Sequence, residues 1–168
     1  ATYHEADITD YEAIKNIFTD TDYVFHLAAE ARIQPTLINP ILAAKSNMLG
    51  TCTVLQCSRE ACVKRVIYSS TSSAYGLKNN PPLNEDMPND CLNPYSVTKT
   101  GGEELCKMFT KLFDLETVIL RYFNVYGNRS PLRGQYAPVV GIFMRQTRNN
   151  EPMTIIGDGE QRRDFTHV

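Results

Sequence analysis

The feature that most constrains this chain is the alternation of short unbroken apolar runs with longer stretches of helical periodicity. Tyr23-Val24-Phe25-His26-Leu27, Val63 to Tyr68, Glu116 to Tyr122 and Met153 to Ile156 are compact runs of β-favouring residues. Between them lie helical stretches. Asp10 to Phe18 has Asp7, Thr9 and Asp10 as candidate caps and Ala13, Ile14, Ile17 and Phe18 as its apolar face. A long helix opens at Asn39-Pro40, with Ile41, Lys45, Met48, Cys52 and Leu55 tracing one face. A third runs from Tyr95 to Phe113 with Leu105, Met108, Phe109 and Leu112 on one side, and a fourth from Val139 to Arg148. Runs rather than alternations inside the strands mean burial on both faces, which predicts an α/β fold with a doubly wound parallel sheet. Ligands of such sheets bind beyond the carboxyl ends of the strands. The polar clusters Ala28 to Arg32, Ser69 to Ser73 and Asn124 to Arg129 sit there.

Composition narrows the function. Lys and Arg number 17 against 19 Asp and Glu, a net charge of −2, so there is no basic field to gather nucleic acid or an anionic membrane. No run of 18 apolar residues offers a membrane span, and the first residues do not read as a signal peptide. The 5 cysteines, odd in number and without a CxxC pair, predict core-filling thiols in a reducing cytoplasm rather than disulfides or a metal site. The first of the 9 glycines is Gly50, so no glycine-rich phosphate loop lies near the start.

Tyr95-Ser96-Val97-Thr98-Lys99 is the sharpest chemical feature. Tyr95 and Lys99, i and i+4, share one helix face. A phenol with a pKa near ~10 is a poor base at neutral pH, and a nearby ammonium stabilises its ionised form. Such a pair can act as general base toward a hydroxyl and as acid in reverse. Alone the spacing is as well explained by a Tyr lying along a Lys stem. Upstream, however, a strand ends in Ser70-Thr71-Ser72-Ser73, and Thr71 stands 24 residues before Tyr95. One loop can bring that hydroxyl to the same substrate oxygen. His26, inside an apolar run, reads as a structural hydrogen-bonder.

In these motifs the chain resembles the extended short-chain dehydrogenase/reductase family, in particular its nucleotide-sugar 4-epimerases. Ala6-Asp7-Ile8-Thr9-Asp10, Phe25-His26-Leu27-Ala28-Ala29, Asn47-Met48-Leu49-Gly50-Thr51, Ser69-Ser70-Thr71 with Asn93-Pro94-Tyr95-Ser96-Val97-Thr98-Lys99, Arg121-Tyr122-Phe123-Asn124-Val125-Tyr126-Gly127, and Gly157-Asp158-Gly159 with Arg162-Arg163-Asp164 follow the family order. The resemblance implies NAD as cofactor and a UDP-sugar as substrate. Tyr95 would be the acid/base, Lys99 would hold the nicotinamide ribose and tune Tyr95, and Thr71 would be the hydroxyl partner. Cofactor contacts would come from Asp7, Ile8, Leu27, Ala28, Ala29, Asn47, Ser69, Tyr95, Lys99 and Tyr122. Substrate contacts would come from Thr71, Ser72, Ser73, Asn124 and Arg163, with no metal. Arg163 suits a diphosphate because its planar fork binds oxygens in pairs.

Within that family the related 4,6-dehydratases carry Asp-Glu directly after the threonine, and the related decarboxylases usually carry Glu at the second of those positions. Here they are Ser72 and Ser73, which favours a 4-epimerase of the glucose/galactose or N-acetylhexosamine pair. Another NAD(P)-dependent nucleotide-sugar enzyme of the same family, a 4,6-dehydratase, decarboxylase or reductase, or else a non-catalytic nucleotide sensor, is the alternative. The position where some UDP-glucose epimerases carry Lys has Ala31-Arg32. The missing phosphate loop, the absent initiator Met and the end at Val168 then suggest a piece of a longer chain. It would carry a dinucleotide-binding part over 1–130, without its first βαβ unit, and the start of a substrate-binding part over 131–168. Such a piece alone is expected to bind NAD poorly and to be inactive. Apolar stripes on the helices Pro40–Ser58 and Tyr95–Phe113 imply a homodimer.

Overall fold

The computed structural model describes residues 1–134, 137–155 and 157–168. The chain forms two compact units, Ala1–Arg121 and Tyr122–Val168. The first unit begins with α1 (Tyr11–Ile14), capped by Asp10, whose carboxylate accepts from the Ala13 N–H at 3.1 Å. It tightens into a 3₁₀ turn, Lys15–Phe18. Next come β1 (Tyr23–His26), α2 (Ile33–Ile38), α3 (Pro40–Ala44), a π turn (Lys45–Leu49), α4 (Gly50–Glu60), β2 (Arg65–Thr71), a 3₁₀ turn (Ser72–Tyr75), α5 (Pro94–Phe113) and β3 (Thr117–Tyr122). The sheet order is β1-β2-β3, with β1 and β2 parallel and His26 beside Tyr68. The core gathers Ile14, Phe18, Val54, Leu55, Val66, Tyr68, Cys106, Phe109 and Leu115. In the second unit β4 (Asn124–Tyr126) and β5 (Phe165–His167) pair in parallel, and α6 spans Val139–Arg148.

The helix opening at Asn39-Pro40 forms, with the Asn39 side chain accepting from the Leu42 N–H at 3.0 Å. Its buried face is not the expected one. Ile41 is 81% exposed and Met48 is exposed, whereas Ala43, Asn47, Thr51 and Ser58 are buried along with Leu55. The buried line runs at spacings of four and three from Ala43 in α3, through Asn47 in the π turn, to Thr51, Leu55 and Ser58 in α4, and is made mostly of small and polar side chains. On α5, Phe109 is buried but Leu112 is exposed, and the buried line is Ser96, Lys99, Glu103 and Cys106.

Other expectations are corrected. Residues 153–155 form no strand, and Ile156 lies outside the described residues. Cys57 and Cys106 fill the core and all five cysteines are free, but Cys62 is exposed, in the left-handed turn (φ 56°) that ends α4. α2, β4 and β5 are not expected from the sequence. α2 carries Pro35 and has no side-chain cap, and a three-residue strand is too short to show a period.

Candidate functional site

β2 and α5 build the site. α5 starts sharply because Asn93 and Ser96 form a reciprocal cap: the Asn93 side chain accepts from the Ser96 N–H at 2.9 Å and Ser96 Oγ accepts from the Asn93 N–H at 3.3 Å. Pro94 fills the first helical position, where no N–H is needed. This fixes Tyr95 in the first turn and puts Lys99 and Glu103 one and two turns on. On β2, Val66, Tyr68 and Ser70 alternate as buried residues.

Two cross-links tie the elements together. Tyr68 Oη donates to the Lys99 carbonyl at 3.1 Å. Ser70 Oγ donates to Glu103 Oε1. Glu103, 1% exposed, is gripped from the far side by Arg121, whose Nε and Nη2 donate to Oε1 and Oε2 at 2.9 and 2.7 Å. Arg121 also donates to Asn89 Oδ1 at 2.8 Å and lies 4.9 Å from the Tyr75 ring centroid. The Glu103 hydrogen bonds push the Arg121 guanidinium further up from its already high range. The brace therefore joins β2, α5, the end of β3 and the loop before α5. No local sequence signal marks it, although Glu103 continues the Tyr95–Lys99 face by one further turn.

Lys99 is 2% exposed. Its ammonium lies 4.2 Å from the Tyr68 ring centroid and has no hydrogen-bond or ion-pair partner among the described residues. Burial lowers its pKa to about 8, against the weaker opposing pull of Cys106 and Glu103. Thr71 ends β2 and caps the 3₁₀ turn, its Oγ1 accepting from the Ser73 N–H at 3.1 Å. Its own proton has no acceptor among the described residues, and neither does that of the Tyr95 hydroxyl.

The strand ends of β1 and β2 lie side by side by register, so Leu27-Ala28-Ala29 and Ser69-Ser70-Thr71 emerge at one sheet edge. Leu27 and Ala28 are exposed there. Asp7 accepts from the Thr9 N–H and Oγ1 at 2.9 and 2.8 Å, which holds its carboxyl below the usual range, with a lesser contribution from Lys45 at 3.4 Å. Ile8 packs over Gly50, where a Cβ would stand 2.6 Å from Ile8 Cδ1. The Asn47 amide is spent within the protein: Oδ1 accepts from the Glu30 N–H at 2.8 Å, and Nδ2 donates to the Glu30 carbonyl at 3.2 Å and to Thr98 Oγ1 at 2.9 Å. In the second unit, Tyr122 is exposed, Asn124 Nδ2 donates to the Asp164 carbonyl at 3.0 Å, and Arg163 is exposed with Nη1 on the Arg162 carbonyl at 2.7 Å.

His26 is a structural hydrogen-bonder. Thr51 Oγ1 gives its proton to the Asn47 carbonyl at 2.6 Å, so the 2.9 Å contact runs from His26 Nε2–H to Thr51 and sets the tautomer. Burial first, then the Lys99 charge, lowers its pKa to about 4 from 6.5. A lowered folded-state pKa gives stability that is complete above pH 6.5 and lost as pH falls toward 4. That loss amounts to roughly 3 kcal/mol. Urea midpoints at pH 7 and 4.5 should show it, and His26→Gln should flatten that part of the dependence; an equally steep variant would reject the assignment.

A parallel α/β sheet that brings a Tyr/Lys helix start and a hydroxyl-rich strand end to one edge is the arrangement of a nucleotide-dependent enzyme of the Rossmann type. The chain belongs to the NAD dependent epimerase/dehydratase family, which it matches over residues 1–168. It is 36% identical over 169 residues to the UDP-glucuronate 4-epimerase of Thermodesulfobacterium geofontis, covering 99% of this chain and 51% of that protein. It is 36% identical over 167 residues to the UDP-N-acetyl-alpha-D-glucosaminuronate decarboxylase of Bacillus cytotoxicus, covering 96% and 51%. Among solved structures it is similar to UDP-glucose 4-epimerase with UDP-glucose from Thermotoga maritima, with TM-score 0.94, 36% identity, and 99% and 55% of the two chains covered. The chain spans about half the length of the curated relatives it matches.

The residues present fit NAD. A buried ammonium with no internal acceptor suits ribose hydroxyls, and small exposed residues at the end of β1 leave room for a dinucleotide. Among the described residues no helix is long and apolar enough to cross a membrane.

Proposed function

We propose that the full-length protein epimerises a UDP-sugar at C4 through a 4-keto sugar. The observation that carries this reading is the Tyr95–Lys99 face of α5, bonded to the strand whose end bears Thr71 with its hydroxyl proton uncommitted. NAD, when bound, supplies a hydride acceptor and donor for C4. Tyr95 takes the proton from the C4 hydroxyl as that carbon becomes a ketone, and returns it to the same oxygen on reduction. Thr71 donates to that oxygen and holds it in place. Lys99 stabilises the Tyr95 phenolate and holds the ribose. Asp7, Ile8, Leu27, Ala28, Ala29, Ser69 and Tyr122 line the cofactor's path, with Asn47 acting through the Glu30 backbone it grips. Ser72, Ser73, Asn124 and Arg163 serve the substrate. Ser72 and Ser73 cannot act as carboxylate acid or base, which favours inversion over dehydration or decarboxylation. Turnover of UDP-galactose, UDP-N-acetylgalactosamine and UDP-galacturonate by the purified protein, with no NAD added, tests the reading; formation of a dehydrated or decarboxylated product instead would overturn it.

Lys99→Met should separate stability from activity. A buried Lys whose pKa is depressed to about 8 destabilises the fold at all lower pH, by roughly 3 kcal/mol relative to its ordinary 10.5. The variant should therefore unfold at higher urea at pH 7 while losing NAD on purification and needing higher pH for residual activity. A less stable variant with an unshifted pH profile would count against the role.

The exposed Ile38, Ile41 and Leu49 before and along the α3–α4 helix, with Val97 and Leu112 on α5, support a homodimer. Sedimentation of the full-length protein should give twice the monomer mass; a monomer would reject the dimer.

A further inference from the structure

We propose that Tyr68 is a positioning residue that seats the Lys99 ammonium on the π face of its ring. This rests on the reading of Tyr95 and Lys99 as an acid/base pair. Glu103, one turn away, is the carboxylate best placed to pair with Lys99, but its oxygens are taken by Arg121 and Ser70. The ammonium instead stands 4.2 Å from the centre of the wholly buried Tyr68 ring. The quadrupole of an aromatic face attracts a cation without accepting its protons in hydrogen bonds. The ammonium thus stays charged while all three N–H groups remain available to other acceptors.

Three contacts fix the ring. Its hydroxyl donates to the Lys99 carbonyl at 3.1 Å. The His26 ring lies 5.6 Å away, centroid to centroid. Gly102 admits it: a Cβ there would fall 2.2 Å from Tyr68 Oη and 2.7 Å from Cζ. The titratable groups around Lys99 are Tyr95, Glu103 and Cys106 on α5, Tyr68 on β2 and His26 on β1.

The test uses the full-length protein with Tyr68→Phe, followed by phenylalanines at position 68 carrying one, two and three ring fluorines. Fluorine drains the π face at nearly constant shape. The acid limb of the kcat–pH profile should stay near native in Tyr68→Phe and move to higher pH with each fluorine, by about one pH unit across the series. The ¹⁵Nζ resonance of Lys99 should titrate at progressively lower pH. A flat series in both readouts overturns the inference, as does a Tyr68→Phe variant that shifts as far as the trifluoro form. Should Tyr68→Phe not fold, fluorotyrosine at 68 replaces it, and an unmoved Lys99 titration rejects the seat. Tyr95→Phe separates the two ideas. If it retains turnover, the acid/base reading fails; if it is inactive while the fluorine series is flat, only the Tyr68 role fails.

Discussion

Tyr95→Phe in the full-length protein should lower turnover of the UDP-sugar by about 10²- to 10⁴-fold, the range over which a positioned general acid–base acts. NAD retained on purification should be unchanged, because the substitution removes one oxygen and leaves the ring. The Tyr95 hydroxyl has no hydrogen-bond partner among the described residues, so its loss orphans no buried group and should leave the urea midpoint within about 0.5 kcal/mol of native. Rate and stability are thus predicted to part company. Turnover within a few-fold of native would remove Tyr95 from the chemistry, and loss of NAD would recast it as a binding residue.

Glu103→Gln should do the reverse, acting on stability before chemistry. Glu103 is buried and Arg121 nearly so, and they meet in a two-pronged ion pair completed by Ser70 and Asn89. Removing one charge of such a pair leaves the other buried without compensation, which costs about 3–5 kcal/mol. Replacing both partners together, as Glu103→Leu with Arg121→Met, should recover much of that loss, since an apolar pair of similar volume is often neutral to stability. Urea unfolding of the two variants decides it. A loss under about 1 kcal/mol in Glu103→Gln would mean that water reaches the pair. A double variant worse than the single would mean that the brace carries a geometry apolar contacts cannot replace.

The helix start at Tyr95 is legible in the sequence because its signals are local: Asn93, Pro94 and Ser96 fall within four residues and each satisfies a backbone group of its neighbours. The burial on both faces expected of the runs at β1, β2 and β3 is not found: Tyr23 and Phe25 of β1 are exposed, β2 alternates buried with half-buried residues, and β3 has no buried residue. The runs themselves are legible because they are compact stretches of β-favouring residues. The Glu103–Arg121 brace is not, because its partners stand 18 residues apart and their pairing depends on how α5 settles against β2. The value of Gly102 is hidden for the same reason, since only the distance to Tyr68 reveals it. The buried face of the α3–α4 helix departs from the expected one because it is lined mostly by small and polar side chains, Ala43, Asn47, Thr51 and Ser58, which a search for apolar periodicity passes over. Asn47 reads as a cofactor contact from its motif alone; in the folded chain its amide bonds the Glu30 backbone and Thr98.

The buried line through the π turn at Lys45–Leu49 has a consequence for how the chain can vary over evolution. Apart from Leu55 it consists of small or polar side chains, Ala43, Asn47, Thr51 and Ser58, so a larger residue at any of these positions must displace a neighbour, His26 in the case of Thr51. The opposite side of the same helix, with Ile41 and Leu49 exposed, carries no such obligation. A partner surface there can change while the inner line stays fixed.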